Sequence, residues 1–145
     1  MFLSELETLR RLRKHRADRA ERALSEAKRH QRALQVQVEQ AHQLLEQTRL
    51  QEAEEAAALL SKHQGQVLSF QQLKSWGTQE RSLSAGTQRE RAQLHALNGR
   101  HEQQMIHIDS AQKQATRCLR EVEKLWELSQ LLVQEENEAR TCEQT

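Results

Sequence analysis

The chain has 145 residues, 30% of them charged and 36% hydrophobic, with 3% aromatic, four Gly and no Pro. A profile so rich in helix formers and so poor in helix breakers reads as long helix or coiled coil, and leaves little material for a sizeable globular core. The net charge of +1 supplies no global field for nucleic acid. Locally the charge is uneven. Residues 1–32 carry ten Lys/Arg against five Asp/Glu, most of them in RRLRKHRADRAER, while residues 39–55 carry five Glu against Arg49 alone.

The first start signal is Ser4-Glu5-Leu6-Glu7, which has the form of a capping box: the Ser4 hydroxyl can accept the Glu7 N–H while the Glu7 carboxylate reaches back. From there a spacing of three and four runs through Leu3, Leu6, Arg10, Arg13, Ala17, Ala20, Leu24, Ala27, Gln31, Leu34, Val38, Ala41, Leu45, Thr48, Glu52, Glu55 and Leu59. Eleven of these seventeen are apolar, enough for a heptad seam, although many are Ala and the seam is thin. The spacing predicts a first helix over about 4–63 and a turn over about 64–68, with Gly65 supplying the reversal.

A second start signal follows in HQGQVLSFQQLKSW. Ser69 is placed as N-cap, Gln72 at the reciprocal position, and Leu68 and Leu73 at the two positions of a hydrophobic staple. The second helix is predicted over about 69–140, with a frayed acidic tail. Its seam runs through Leu73, Trp76, Glu80, Leu83, Thr87, Glu90, Leu94, Leu97, His101, Gln104, Ile108, Ala111, Ala115, Cys118, Val122, Leu125, Ser129 and Leu132 without a phase break. That continuity places Gly77 and Gly86 inside the helix. Thr87-Gln88-Arg89-Glu90 could also cap a new helix, so a break near 84–87 stays open.

Folded back at the turn, the two stripes meet at one constant offset. Val38 faces Leu94, Leu34 faces Leu97, Leu24 faces Ile108, Ala20 faces Ala111 and Leu6 faces Leu125. Leu59 faces Leu73, and the polar layer Gln31 meets the polar layer His101. The expected fold is therefore all-α: a single long two-helix antiparallel coiled-coil hairpin, about 90 Å long at ~1.5 Å rise per residue. A parallel homodimer of a long coiled coil and a three-helix bundle broken at Gly86 are the alternatives.

Toward the turn the seam deteriorates. Glu52 faces Glu80 and Glu55 faces Trp76, so the helices should splay or keep these carboxylates wet. Phe70, Leu73 and Trp76 would then be partly exposed on one face, as a docking surface. In the first helix Arg10, Arg11, Arg13, Lys14, Arg16, Arg19 and Arg22 wrap nearly every face. Arg10 and Arg13 fall on the seam, opposite Val122 and Cys118, which suits an acidic partner. A nucleic-acid arm is the competing reading, but no aromatic or glycine-rich element accompanies the run.

Cys118 and Cys142 are 24 positions apart, roughly 36 Å along one helix and too far for a bridge. They read as thiols of a reducing compartment. No signal peptide and no run of 18 apolar residues is present, so a cytoplasmic protein without direct membrane insertion is expected. No catalytic, cofactor or metal motif appears. In His101-Glu102-Gln103-Gln104-Met105 a Met stands where a zinc-protease helix needs its second His. His95, His101 and His107 turn about 240° at each step and scatter around the helix. The chain reads as a non-enzyme with no cofactor.

The segments LRRLRKHRADRAERAL and FQQLKSW resemble the YscO-type stalk proteins of bacterial type III secretion, whose flagellar relative is FliJ. The resemblance implies a central stalk that enters the pore of the hexameric export ATPase and reaches the cytosolic ring of the export gate. It places gate contacts at Phe70, Leu73, Trp76, Gly77 and Glu80, although Gly77 departs from the bulky apolar residue of the family. It places the ATPase contacts at the basic base, including Arg13, Arg16 and Arg19. It also implies peripheral association with the secretion apparatus at the inner membrane. An escort protein for export chaperones or coiled-coil secretion subunits is the alternative.

Overall fold

A computed structural model of the chain, which describes residues 2–144, contains two long α-helices packed against each other as an antiparallel hairpin. Helix α1 spans Phe2–His63 and helix α2 spans Phe70–Gln144. No strand occurs among the described residues. The chain divides into two compact units, one made of Met1–His30 with Gln104–Thr145 and the other of Gln31–Gln103.

Burial follows the heptad stripe. In α1 every seam residue named above is at least half-buried except Glu55, which is exposed while its neighbour Ala56 is half-buried. In α2 the exceptions are Leu73 and Glu80. The protected positions of α1 near the turn are therefore Thr48, Glu52, Ala56 and Leu59. Two successive steps of four locally unwind a left-handed supercoil and move the contact line off a Glu and onto an Ala.

In the unit Gln31–Gln103 the core is Ala41, Leu94 and Leu97, with Val38 and Leu45 packed against it. Val38 and Leu94, expected to face each other, fall in this cluster, whereas Leu34, expected opposite Leu97, is buried outside it. In the other unit the buried residues are Leu6, Ala17, Ala27, Ala115, Cys118 and Leu125, mostly small side chains. The Gln104 amide donates to the Ala27 carbonyl at 3.0 Å, tying α2 to α1. With only two helices there is no third layer, and among the described residues no side chain is less than 2% exposed.

The connection is built as its residues dictate. Gly65 adopts φ 75°, a left-handed conformation that costs a residue with a Cβ ~1 kcal/mol or more. The Gln66 N–H donates to the His63 carbonyl at 3.3 Å. Ser69 then caps α2 reciprocally. Its Oγ accepts the Gln72 N–H at 3.2 Å, and Gln72 Oε1 accepts the Ser69 N–H at 3.0 Å. The Leu73 N–H bonds to the Ser69 carbonyl at 3.0 Å, closing the first turn.

One expectation is corrected, and one open alternative is closed. Ser4 is not an N-cap. The helix already includes Phe2, so Ser4 lies within the first turn, and its carbonyl accepts the Thr8 hydroxyl at 3.1 Å. Nor does α2 break near Gly86. Thr87, the residue that could have capped a new helix, is 4% exposed and spends its hydroxyl on the Glu52 carboxylate of α1. A side chain turned to the partner helix cannot cap its own.

Candidate functional site: an apolar tip and a basic flank

In the connection and the first turn of α2, three apolar side chains stand in solvent. Val67 is 100% exposed, Phe70 80% and Leu73 55%. Val67 belongs to the non-helical connection, and Phe70 and Leu73 to the first turn of α2. The cap at Ser69 fixes the direction in which that turn leaves the loop, so their display is a consequence of local hydrogen bonding. Gly77 and Glu80 follow on the same helix, Gly77 half-buried and Glu80 exposed.

Trp76 behaves differently. It is half-buried, its ring stacked on His63 of α1 with centroids 5.0 Å apart and planes 30° from parallel. Its indole N–H donates to Glu80 Oε1 at 2.9 Å. One edge of the Trp is thus committed to closing the turn and another to its own helix. Its expected neighbour Glu55 is exposed, and His63, eight positions further along α1, takes that place.

The expected Glu52–Glu80 confrontation is likewise avoided. Glu52 accepts from Thr87, a full heptad further along α2, and Glu80 turns to Trp76. Glu52, Ala56, Gly77, Glu80 and Leu83 line an open groove of about 540 Å³ on one flank. On the other, Glu55, Ala58, Leu59, Lys62, Gln79 and Leu83 line one of about 460 Å³. One polar atom is poorly served: Glu90 Oε2 is buried without a hydrogen-bond partner. The seam near the turn is thus open to solvent on both flanks.

The basic flank lies in the unit containing Met1–His30. Arg13 is half-buried and escapes the seam by extending its guanidinium to the Glu121 carbonyl at 3.4 Å. Arg16 lies 3.9 Å from the Glu121 carboxylate and is 62% exposed. Arg19 is exposed, with no ion pair among the described residues. Arg10 pairs with Glu7 at 3.9 Å within its own helix. These exposed pairs contribute ~0–1 kcal/mol each, so the flank stays available to an external anion.

Cys118, 2% exposed, sits in the small-residue core, and no disulfide joins it to the exposed Cys142. Among the described residues no group of three His, Cys, Asp or Glu could hold a metal ion, and no helix is long and apolar enough to cross a membrane. The exposure of Val67 was not foreseen, although its place in a loop between the two seams is a usable signal. No protein-family model, curated protein or solved structure matches the chain.

Proposed function

We propose that this chain is a non-catalytic stalk or adaptor of a bacterial type III secretion export apparatus, of the YscO and FliJ kind, linking the hexameric export ATPase to the export gate. The observation that carries the reading is the apolar tip. The two most exposed large apolar side chains among the described residues, Val67 at 100% and Phe70 at 80%, stand together beside a rigidly capped helix start. Exposed apolar groups with a polar rim are what a protein partner recognises. The resemblance of FQQLKSW to the family assigns that partner as the cytosolic ring of the gate.

In this reading Phe70 and Leu73 are the contact residues. Trp76 and Glu80 hold the turn through the His63 stack and the indole hydrogen bond, and Gly77 leaves room beside them. Arg13, Arg16 and Arg19 face acidic surface on the ATPase. The chain carries no chemistry of its own, acts in the cytoplasm, and is held at the inner membrane only through its partners. The apolar and basic regions lie in different units, as a two-partner adaptor needs.

The test is the double variant Phe70→Ala with Leu73→Ala, both exposed and so removable without unfolding the hairpin. Loss of two central apolar contacts should weaken gate binding tenfold or more, ~1.4 kcal/mol or above, and depress secretion while helicity by circular dichroism is kept. Wild-type gate affinity and secretion in that variant would discard the tip assignment.

A further inference from the structure

The unit containing Met1–His30 and Gln104–Thr145 carries a second exposed apolar surface, distinct from the tip and from the seam. Phe2, Leu9 and Arg16 of α1 each lie one position before a seam residue, as do Glu121 and Leu128 of α2, and Glu135 follows Leu128 by one heptad. In an antiparallel pair these positions share one flank. The structure bears this out at two points: Arg16 meets Glu121 across the helices, and Phe2 and Glu135 line one groove of about 430 Å³. Stepping one heptad from Arg16–Glu121 brings Leu9 opposite Leu128.

Three residues further on, and outward on the same flank, stand Leu12 and Arg19 of α1 and Leu131 and Glu138 of α2. Phe2, Leu9, Leu12, Leu128 and Leu131 are all exposed, Leu12 at 61% and Leu131 at 59%. The result is an apolar patch with a polar border of fixed sign. One heptad beyond Leu9 and Leu12 come Arg16 and Arg19. One heptad beyond Leu128 and Leu131, in the opposite direction along the pair, come Glu135 and Glu138. Neither Glu135, Glu138 nor Arg19 has an ion pair among the described residues.

We infer that this flank is a homodimer interface whose occupant is a second copy of the chain. A two-fold axis through the level of Leu9 and Leu128 lays patch on patch. It also carries the Arg16/Arg19 border of each copy onto the Glu135/Glu138 border of the other, about 10–15 Å from the axis. An interface of this kind is isologous, and both of its charge junctions are attractive. A partner of uniform charge would meet one border of its own sign. Two heptads on two helices form a small surface, so the dimer is a weak one, with Kd of roughly 1–100 µM. This inference is independent of the secretion reading, although a second copy would cover Arg16 and Arg19 until a stronger acidic surface displaced it.

The experiment is sedimentation velocity of the full chain from about 1 to 500 µM, with three exposed single variants. Leu12→Asp should hold the chain monomeric throughout. Arg19→Glu, which spares the Arg16–Glu121 pair, and Glu138→Arg should each weaken dimerisation about tenfold or more when alone. Mixed, these two should form a heterodimer close to wild-type affinity, because both junctions regain opposite charges. A wild-type chain that stays monomeric to 500 µM overturns the inference. So does a dimer indifferent to Leu12→Asp, or a charge-reversed mixture that fails to recover. Circular dichroism of each variant separates lost association from lost folding.

Discussion

The Thr87–Glu52 contact offers a quantitative test of how the seam near the turn is held. Thr87 is the single polar side chain among the buried residues described, at 4% exposure, and its hydroxyl donates to the Glu52 carboxylate. Thr87→Val keeps the shape and deletes the donor. A hydrogen bond to a charged group contributes ~1.5–3 kcal/mol when fully buried. Glu52 is only half-buried, so water recovers part of that, and about 1–1.5 kcal/mol remains. At ~2.1 cal/mol/K per residue, a chain of this length loses about 3–4 °C in Tm per kcal/mol, giving an expected fall of about 3–5 °C. Glu52→Leu combined with Thr87→Val removes both partners and should recover most of the loss, since an apolar pair replaces a polar one. The assay is thermal unfolding by circular dichroism on all four members of the cycle, with a coupling energy of ~1 kcal/mol expected. If Thr87→Val melts at or above the wild type, the contact stabilises nothing and the description of this layer is wrong.

Ser69→Ala removes the hydroxyl that accepts the Gln72 N–H, and should cost ~1 kcal/mol with faster amide exchange confined to the first turn of α2, read by urea unfolding and hydrogen exchange. Cys118 at 2% exposure should react with a thiol reagent only as fast as the hairpin opens, while the exposed Cys142 reacts at once. Native protein should therefore show one fast thiol and denatured protein two, and two fast native thiols would contradict the packing of Ala17, Ala115 and Cys118.

What the residues alone revealed was whatever depended on period. A three-four spacing of apolar side chains has one burial solution for two helices, and all but three of the thirty-five seam positions are protected as that spacing requires. The capped start at Ser69 and the reversal at Gly65 were equally legible, because a reciprocal cap and a left-handed residue are local devices. The exceptions arose where a side chain chose between near-equal partners. Glu55 yields to Ala56 because one extra residue between contacts turns the helix enough to spare a carboxylate. Trp76, expected opposite Glu55, stacks on His63 instead, a choice set by the shape of the loop. Ser4 fails as a cap because the helix starts two residues before it. The apolar flank of Leu9, Leu12, Leu128 and Leu131 is off the seam, and only its exposure together with the Arg16–Glu121 contact marks it as one surface.

A core only one residue thick has a consequence for how such a molecule changes over generations. Each seam side chain is hemmed in by a few neighbours on one opposing helix, with nothing behind it. A swap of Leu for Ile, Met or Val is therefore absorbed on the spot, and the remaining positions need only tolerate a helical backbone in water. Two chains could keep this outline and this turn while sharing few identical letters, so kinship for a protein of this build is better sought in spacing and caps than in matched residues.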